Sequence, residues 1–410
     1  MRFRHASTRG AILLSLAALL IGGCGKTGPT APSSGGGPLR KIAPVEREGA
    51  ISVTTRNTTR VGGATAAVDA AAVARVVYPG LTSTSRPQTV VVVDGRTWPV
   101  ALAASSLSSA PLNAPILYAE GDSLPDVTVQ AIEAMHPTGA GPLGAQVLEI
   151  GTRAKLPARV TARRIPAAEP AVVAAAIEQL LTQAQGTAPA RVIVVGGEGA
   201  RALQMPAAGL AAESGAPLLP GGTATLPAAT AATLRGLHRP SIYLVNPAAL
   251  GRTALSELAK AGRVTRIPQA AAGEAPTVAG AAIEAARFTD GTFGWGVKDP
   301  GHGLVFASAG RPLDAPAAAL LSATGEYAPL LLLEAPDRIG PALGAYLADI
   351  QPAYTSAPEF QPVRGVYNHG WLIGDEHAIS LGTQAELDAL LEISPRKQGG
   401  AEEASVLQAE

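Results

Sequence analysis

The 410-residue chain is poor in three kinds of residue, and each shortage excludes a class of protein. It has one cysteine, so it can form neither an internal disulfide nor a zinc site built on several thiolates. Aromatic residues are 4% and charged residues 16%, and 32 basic side chains balance 32 acidic ones, which argues against a nucleic-acid binder. The hydrophobic fraction of 47%, much of it alanine, is too high for a disordered chain. At about 100–200 residues per domain, the length predicts two to four domains.

The single cysteine follows a short apolar run at the start of the chain. Arginines precede residues 11–21 (AILLSLAALLI), a run too short for a stable membrane span, and Gly22-Gly23-Cys24 comes next. This order resembles a bacterial lipoprotein signal, in which the chain is cut before the cysteine and the thiol is diacylated. The resemblance implies a signal peptide over 1–23 and an extracytoplasmic protein anchored to the membrane through Cys24. The alternative is an ordinary secretory signal with an incidental cysteine.

Residues 24–54 are mostly glycine, proline, serine and threonine with scattered charge, which is typical of a flexible tether. Residues 394–410 are predicted to form a disordered tail.

Between these ends, one pattern occurs three times. A β-branched apolar run ends in a small or acidic residue and glycine, an alanine-rich helical stretch follows, and Ala-Pro then leads into a second apolar run. From Gly95 to Pro115, Gly197 to Pro217 and Gly310 to Pro329 the separations are 20, 20 and 19 residues. Such matched spacing indicates tandem repeats.

Each repeat continues with a helix and a third apolar strand, and an amphipathic helix precedes its first strand. The helices that precede the first strands are predicted over 64–77, 170–183 and 275–287. Continuous apolar strands are typical of parallel sheets covered on both faces. The sequence therefore predicts an α/β fold of three Rossmann-like modules with parallel sheets. The repeat register places them at 55–164, 165–266 and 267–393, with insertions in the third at 289–302 and 355–368.

The repeats resemble a known family. The opening Thr59-Arg60-Val61-Gly62-Gly63, the strand ending Asp94-Gly95, the Ala-Pro strand entry and the closing segment 371–380 (WLIGDEHAIS) are similar to the cell wall binding repeat 2 domain of Gram-positive surface proteins. The openings of the second and third repeats, 164–166 and 266–268, lack the paired glycines. The resemblance implies three modules packed with pseudo-threefold symmetry and non-covalent attachment to an anionic cell-wall polymer.

The turns after the first strands are the predicted ligand-contacting positions. Ligands of open parallel sheets lie beyond the carboxyl ends of the strands, near helix N-termini that favour anions. Each turn also carries an arginine that could hold a phosphate or a carboxylate. The alternative is that these arginines are solvated surface residues. Together with motif residues, the polymer-binding candidates are Arg60, Asp94, Arg96, Gly197, Arg201, Arg311 and Asp314.

Other chemical signatures are weak. Residues 197–202 (GEGARA) fit a dinucleotide fingerprint, but the next strand ends without the acidic residue that would hold a ribose, so a tight turn is the simpler interpretation. Asp375, Glu376 and His377 could each ligate a metal, but neighbours on an extended chain point to opposite sides, so they do not converge on one ion without a special turn. We expect no metal, no cofactor and no catalysis.

The functional hypothesis is a non-catalytic, lipid-anchored envelope protein that binds cell-wall polymer, an anionic glycopolymer or one associated with peptidoglycan, through its three repeats. It has no nucleic-acid partner. The alternative is a lipid-anchored solute-binding protein with a small-molecule cleft between modules.

Overall fold

Each predicted repeat forms a parallel sheet with covering helices in the computed structural model, which describes residues 51–197, 200–273, 275–324, 326–354 and 367–395. The chain begins with two antiparallel strands, β1 (Ile51–Thr54) and β2 (Thr58–Gly62). Module 1 follows, with strands β3 (Val90–Asp94), β4 (Ile116–Ala119), β5 (Val147–Ile150) and β6 (Ala162–Ile165). Its helices are α1 (Ala66–Val77), α2 (Trp98–Ala104) and α3 (Asp126–Met135).

Module 2 repeats this strand order and has five helices where module 1 has three. Its strands are β7 (Arg191–Val195), β8 (Leu218–Pro220), β9 (Ser241–Val245) and β10 (Arg263–Arg266). Its helices are α4 (Pro170–Gln185), α5 (Arg201–Gln204), α6 (Pro206–Ser214), α7 (Ala228–Gly236) and α8 (Arg252–Ala261). All strand pairs within the sheets of modules 1 and 2 are parallel.

Module 3 contains strands β11 (Gly303–Ser308), β12 (Leu330–Leu333) and β14 (His369–Ile373), and a separate short pair formed by β13 (Ala353–Tyr354) and β15 (Ser394–Pro395). Its helices are α9 (Val278–Arg287), α10 (Asp314–Ala323), α11 (Pro341–Asp349) and α12 (Leu381–Leu391). The three modules confirm the predicted α/β class with parallel sheets. Short 3₁₀ turns occupy Ser83–Ser85, Ser105–Ser108 and Pro247–Ala249.

The N-terminal strand completes the sheet of the last module. The strand orders are β4-β3-β5-β6 in module 1, β8-β7-β9-β10 in module 2 and β12-β11-β14-β2-β1 in module 3. The fourth strand of modules 1 and 2 comes directly before the next repeat, whereas module 3 takes β2 from the start of the chain in parallel pairing with β14. The three modules are thereby closed into a ring.

The alanine-rich helices meet at the centre of this ring. Helices α6 and α10 pack against each other, and both contact the 3₁₀ turn that continues α2. These helices are buried on all sides, as a helix without a polar face must be. The predicted pseudo-threefold arrangement is explained by this contact, since each module contributes the equivalent helix and alanine lets the backbones approach closely.

The helix that precedes each first strand packs across a boundary between modules. Helix α4 contacts α2, α9 contacts α5 and α6, and α1 contacts α10, so every module touches the central helix of the one before it around the ring. We call these three boundaries seam 1–2, seam 2–3 and seam 3–1.

The first strand of module 1 shows why the apolar runs do not alternate with polar residues. Val90 and Val92 lie in a core with α1 and α3, whereas Val91 and Val93 lie in the larger core that includes α2. All four are buried because both faces of the sheet are covered.

The first insertion of module 3 packs against module 2. Phe293 stacks on Tyr243 of β9 with ring centroids 3.8 Å apart, and the Tyr243 hydroxyl donates to Asp290 at 2.6 Å. The second insertion lies outside the described residues except for its last two positions, 367 and 368.

The chain ends differ in part from the sequence prediction. Residues 51–54, assigned to the tether, form β1 because β2 offers them an open edge, and 394–395 form β15 against β13. The predicted signal peptide, Cys24, residues 24–50 and the tail from 396 lie outside the described residues. Within the described ranges, no helix is both long and apolar enough to cross a bilayer.

Candidate functional site

The three candidate turns lie at the carboxyl ends of β3, β7 and β11, where an open parallel sheet accepts ligands. Pseudo-symmetry predicts three equivalent arginine sites. The structure places Arg96, Arg201 and Arg311 in three different environments instead.

In the turn of module 1, Arg96 is fixed by Asp94. The Arg96 Nε and Nη2 donate to the Asp94 carboxylate at 3.1 Å each, and the Gly121 amide donates to the same carboxylate at 3.0 Å. Burial alone would raise the pKa of Asp94, but these hydrogen bonds outweigh it and hold the pKa below its ordinary value. The Arg96 side chain remains 68% exposed, so a charged guanidinium is held at the surface in one orientation.

In the turn of module 2, a tight glycine turn precedes Arg201. Gly197 has φ +80°, and a Cβ atom there would lie 2.4 Å from the Cβ of Ala249. Only glycine fits both the left-handed backbone and this contact. Residues 198 and 199 of the dinucleotide-like fingerprint lie outside the described residues. Arg201 itself is exposed at the first position of α5.

Arg201 borders a cavity in seam 1–2. The cavity has a volume of about 280 Å³ and lies at the carboxyl ends of β7 and β8. Its walls come from two modules, because the start of α2 in module 1 faces the strands of module 2 and the start of α4. The seam is held by a buried hydrogen bond, in which the Trp98 indole donates to the Gln204 side chain at 2.7 Å. Gln204 in turn donates to the Gly197 carbonyl at 2.9 Å.

In the turn of module 3, Arg311 belongs to a carboxylate cluster in seam 3–1. We define the Asp69 cluster as Asp69, Arg311, Asp314 and Asp375. Asp69 of α1 and Asp314 of α10 are fully buried, and Arg311 is 21% exposed. Arg311 pairs with Asp69, lies 3.0 Å from Asp314 and 3.7 Å from Asp375, and donates to the Gly63 carbonyl at 3.3 Å. One cation therefore joins module 3 to the first helix of module 1.

The buried carboxyls of this cluster are hard to ionise together. Burial raises the pKa of Asp69, and Arg311 and the Gly63 amide offset only part of this rise. Burial and the neighbouring Asp69 raise the pKa of Asp314 well above its ordinary value. The environment therefore favours the protonated form of both carboxyls, and most strongly that of Asp314. Asp314 and Arg311 thus have partners within the seam, and their role in polymer binding stays a prediction.

Arg60 also has a structural position. It lies in β2 with 1% of its surface exposed. Its Nε donates to Gln384 of α12 at 3.0 Å, Nη1 donates to the carbonyls of Gly374 and Asp375, and Nη2 donates to the Ile379 carbonyl. The guanidinium is enclosed and bound to four acceptors, whereas its contact with polymer stays a prediction. It fastens the N-terminal strand to the last module.

The acidic turn after β14 differs from the sequence expectation in geometry. The ligand atoms of Asp375, Glu376 and His377 lie within 4.8 Å of one another, because the Asp375 carboxylate accepts from the His377 and Ala378 amides and folds the chain into a turn. Asp375 also belongs to the Asp69 cluster, whereas Glu376 and His377 are exposed. The chain is not extended here, and this turn is the special turn that the sequence prediction required for these side chains to converge.

Sequence reasoning allowed for a cleft between modules but did not identify the residues that line it. The cavity lining includes Trp98, Glu169 and Pro170, none of which was a candidate, because the pattern within one repeat does not reveal which repeat faces it.

The fold has solved counterparts. Cwp6 from Clostridium difficile matches with a TM-score of 0.60 and 16% identity over 84% of this chain and 51% of that chain. Cwp8 from the same organism matches with a TM-score of 0.59 and 19% identity over 83% of this chain and 53% of that one. This chain thus spans about half the length of those proteins. No protein-family model matches the sequence, and no curated protein matches it. At these identities, the likeness shows a shared fold.

Proposed function

We propose that the chain is a non-catalytic, lipid-anchored envelope protein that binds cell-wall polymer through its three modules. The observation that carries the proposal is the ring of three parallel-sheet modules, which is shared over 84% of the chain with Cwp6, a cell wall protein. The family resemblance of the repeats points in the same direction.

The charge distribution favours local contacts over long-range attraction. The chain carries no net formal charge, so its overall field does not draw in a polyanion. Arg96 and Arg201 are exposed at the carboxyl ends of their sheets, where each could bind one anionic group of a polymer. Several weak contacts of this kind along one polymer would add up to useful avidity.

Sedimentation with purified cell walls tests polymer binding. The full chain carrying Cys24→Ser, which removes the acylation site, is expected to sediment with walls and to be released by a soluble anionic wall glycopolymer. The double variant R96A/R201A should lower the retained fraction several-fold, whereas R252A/R338A, which removes two other arginines, should not. If the chain that carries only Cys24→Ser is not retained on walls, the proposal is wrong.

Membrane fractionation tests the anchor separately. The unaltered chain is expected to appear in the membrane fraction and to incorporate a radiolabelled fatty acid. Cys24→Ser should abolish labelling and release the protein into the soluble fraction. Labelling that persists in Cys24→Ser would contradict the assignment.

A further inference from the structure

The cavity in seam 1–2 differs from the recesses that the structure describes in the other two seams. The equivalent space in seam 2–3 is only about 10 Å³, because Leu203 and Pro206 pack against Ala281 and Ala285. In seam 3–1 a more open recess of about 240 Å³ is bordered by Arg311, which is bound to the Asp69 cluster. Module pseudo-symmetry alone does not explain why the cavity of seam 1–2 is open.

The walls of this cavity are mainly apolar and rigid. Four prolines line it, Pro99, Pro170, Pro220 and Pro227, together with Leu102, Val195 and Leu218. Proline rings and strand residues lose little conformational freedom when a ligand binds, so the cavity is preformed.

The polar groups in the lining fall into two kinds. Gln204 is buried and already bridges Trp98 and Gly197, so it keeps the wall in place. Arg201 and Glu169 are exposed members of the lining and offer a planar cationic donor and a carboxylate acceptor. Arginine in this position suits a carboxylate, which it can hold with two parallel hydrogen bonds. Glu169 suits a hydroxyl or an amide N–H.

The volume limits the ligand to one small unit. A cavity of about 280 Å³ lies just below the range of about 300–1,000 Å³ found for ligand sites. It has room for a single substituted sugar ring or a molecule of that size, not for a stretch of chain. Apolar walls would contact the C–H face of the ring and an acetyl methyl group.

We propose that the cavity of seam 1–2 binds one small acidic sugar unit, with its carboxylate on Arg201, a hydroxyl or amide on Glu169 and its apolar face on the proline walls. The unit could be part of a wall polymer or a free sugar acid. The inference therefore goes beyond the proposed polymer binding and does not require it.

Titration calorimetry with N-acetylmuramic acid tests the proposal on the full chain carrying Cys24→Ser. N-acetylglucosamine, which has the same ring without the carboxylate, is the matched ligand control. The acid is expected to bind at least ten-fold more tightly. Ala171→Leu, which places an isobutyl group in the cavity, and Arg201→Ala should each weaken binding at least ten-fold.

Two variants control for effects on the fold. Val172→Leu lies on the exposed face of the same helix, and Arg252→Ala removes an exposed arginine elsewhere in module 2; both should bind like the parent. Thermal unfolding of Ala171→Leu should match that of Val172→Leu. Absence of binding by the parent, equal binding of the neutral sugar, or binding unaffected by Ala171→Leu in a folded protein would overturn the proposal.

Wall sedimentation of the same variants identifies the source of the sugar. If Ala171→Leu lowers wall retention together with binding of the acid, the unit belongs to the polymer. If retention is unchanged while binding is lost, the ligand is a free sugar acid. If the parent binds the acid but is not retained on walls, the cavity assignment holds and the polymer proposal fails.

Discussion

Replacing Arg311 by methionine should destabilise the protein more than any surface charge change. The methionine preserves most of the side-chain volume but removes the cation that faces Asp69, Asp314 and Asp375. The variant therefore leaves carboxyl groups buried in seam 3–1 without their counter-charge.

The size of the effect follows from the geometry. At 3.0 Å between the Arg311 Nε and the Asp314 carboxylate, Coulomb's law gives about 5 kcal/mol at an effective dielectric constant of about 20. The raised pKa of Asp314 lowers this figure, because a protonated carboxyl carries no charge. Removal of one partner of a buried ion pair commonly costs about 3–5 kcal/mol, and we expect the loss in unfolding free energy to fall in this range.

The loss of unfolding free energy in R311M should depend on pH. The folded-state pKa values of Asp69 and Asp314 are raised, so the folded state binds more protons than the unfolded state. Stability from these groups is complete below about pH 4 and is lost as pH rises through the raised values. Arg311 lowers both pKa values, so its removal raises them further. The penalty of R311M should therefore be larger at pH 8 than at pH 5.

Urea unfolding followed by far-UV circular dichroism at both pH values measures this penalty. Arg338→Met is the matched control, because Arg338 is 74% exposed and pairs with the exposed Asp337; its cost should stay below about 1 kcal/mol. Adding Asp69→Asn and Asp314→Asn to R311M should recover part of the loss. A penalty below about 1 kcal/mol, or one that is equal at pH 5 and pH 8, would refute the assignment of the cluster.

Three further substitutions test the ring closure, the glycine turn and the seam. Arg60→Met should lower the unfolding free energy by about 3 kcal/mol or more, because buried carbonyls lose their donors. Amide hydrogen exchange should also become faster in β2 and β14. Unchanged exchange would contradict the role of Arg60 in fastening β2 to the last module. Gly197→Ala should lower the melting temperature more than Gly186→Ala, since both have positive φ but a Cβ at Gly186 meets nothing within 4 Å; equal shifts would argue against the contact with Ala249. Trp98→Phe should cost about 1–3 kcal/mol by leaving Gln204 without its donor, and a neutral result in thermal unfolding would show that the bond does not hold the seam.

The sequence contained the architecture of each module. Runs such as 90–94 and 192–195 are continuously apolar, and period and composition alone indicate strands covered on both faces. The helices predicted over 170–183 and 275–287 appear as α4 (Pro170–Gln185) and α9 (Val278–Arg287), because capping and apolar spacing are local properties. The strict spacing of three repeats likewise fixed three modules.

The roles of the arginines could not be predicted from the sequence. Arg96, Arg201 and Arg311 follow equivalent strands, yet one is held at the surface by Asp94, one borders a cavity and one is bound in a carboxylate cluster. Local pattern shows that an arginine follows a strand, but its partners come from another module. The same holds for Arg60, whose acceptor in Gly374 is 314 residues away in the chain.

By itself, the sequence therefore determined what each segment is: strand, helix or turn, and the threefold repetition of one unit. Only the tertiary structure decided which repeats touch, where β2 closes the ring, and which seam stays open. The physical reason is the separation along the chain of the residues that interact. Helix and strand formation depends on residues a few positions apart, whereas burial, ion pairing and cavity shape depend on side chains that the chain brings together only when the ring is complete.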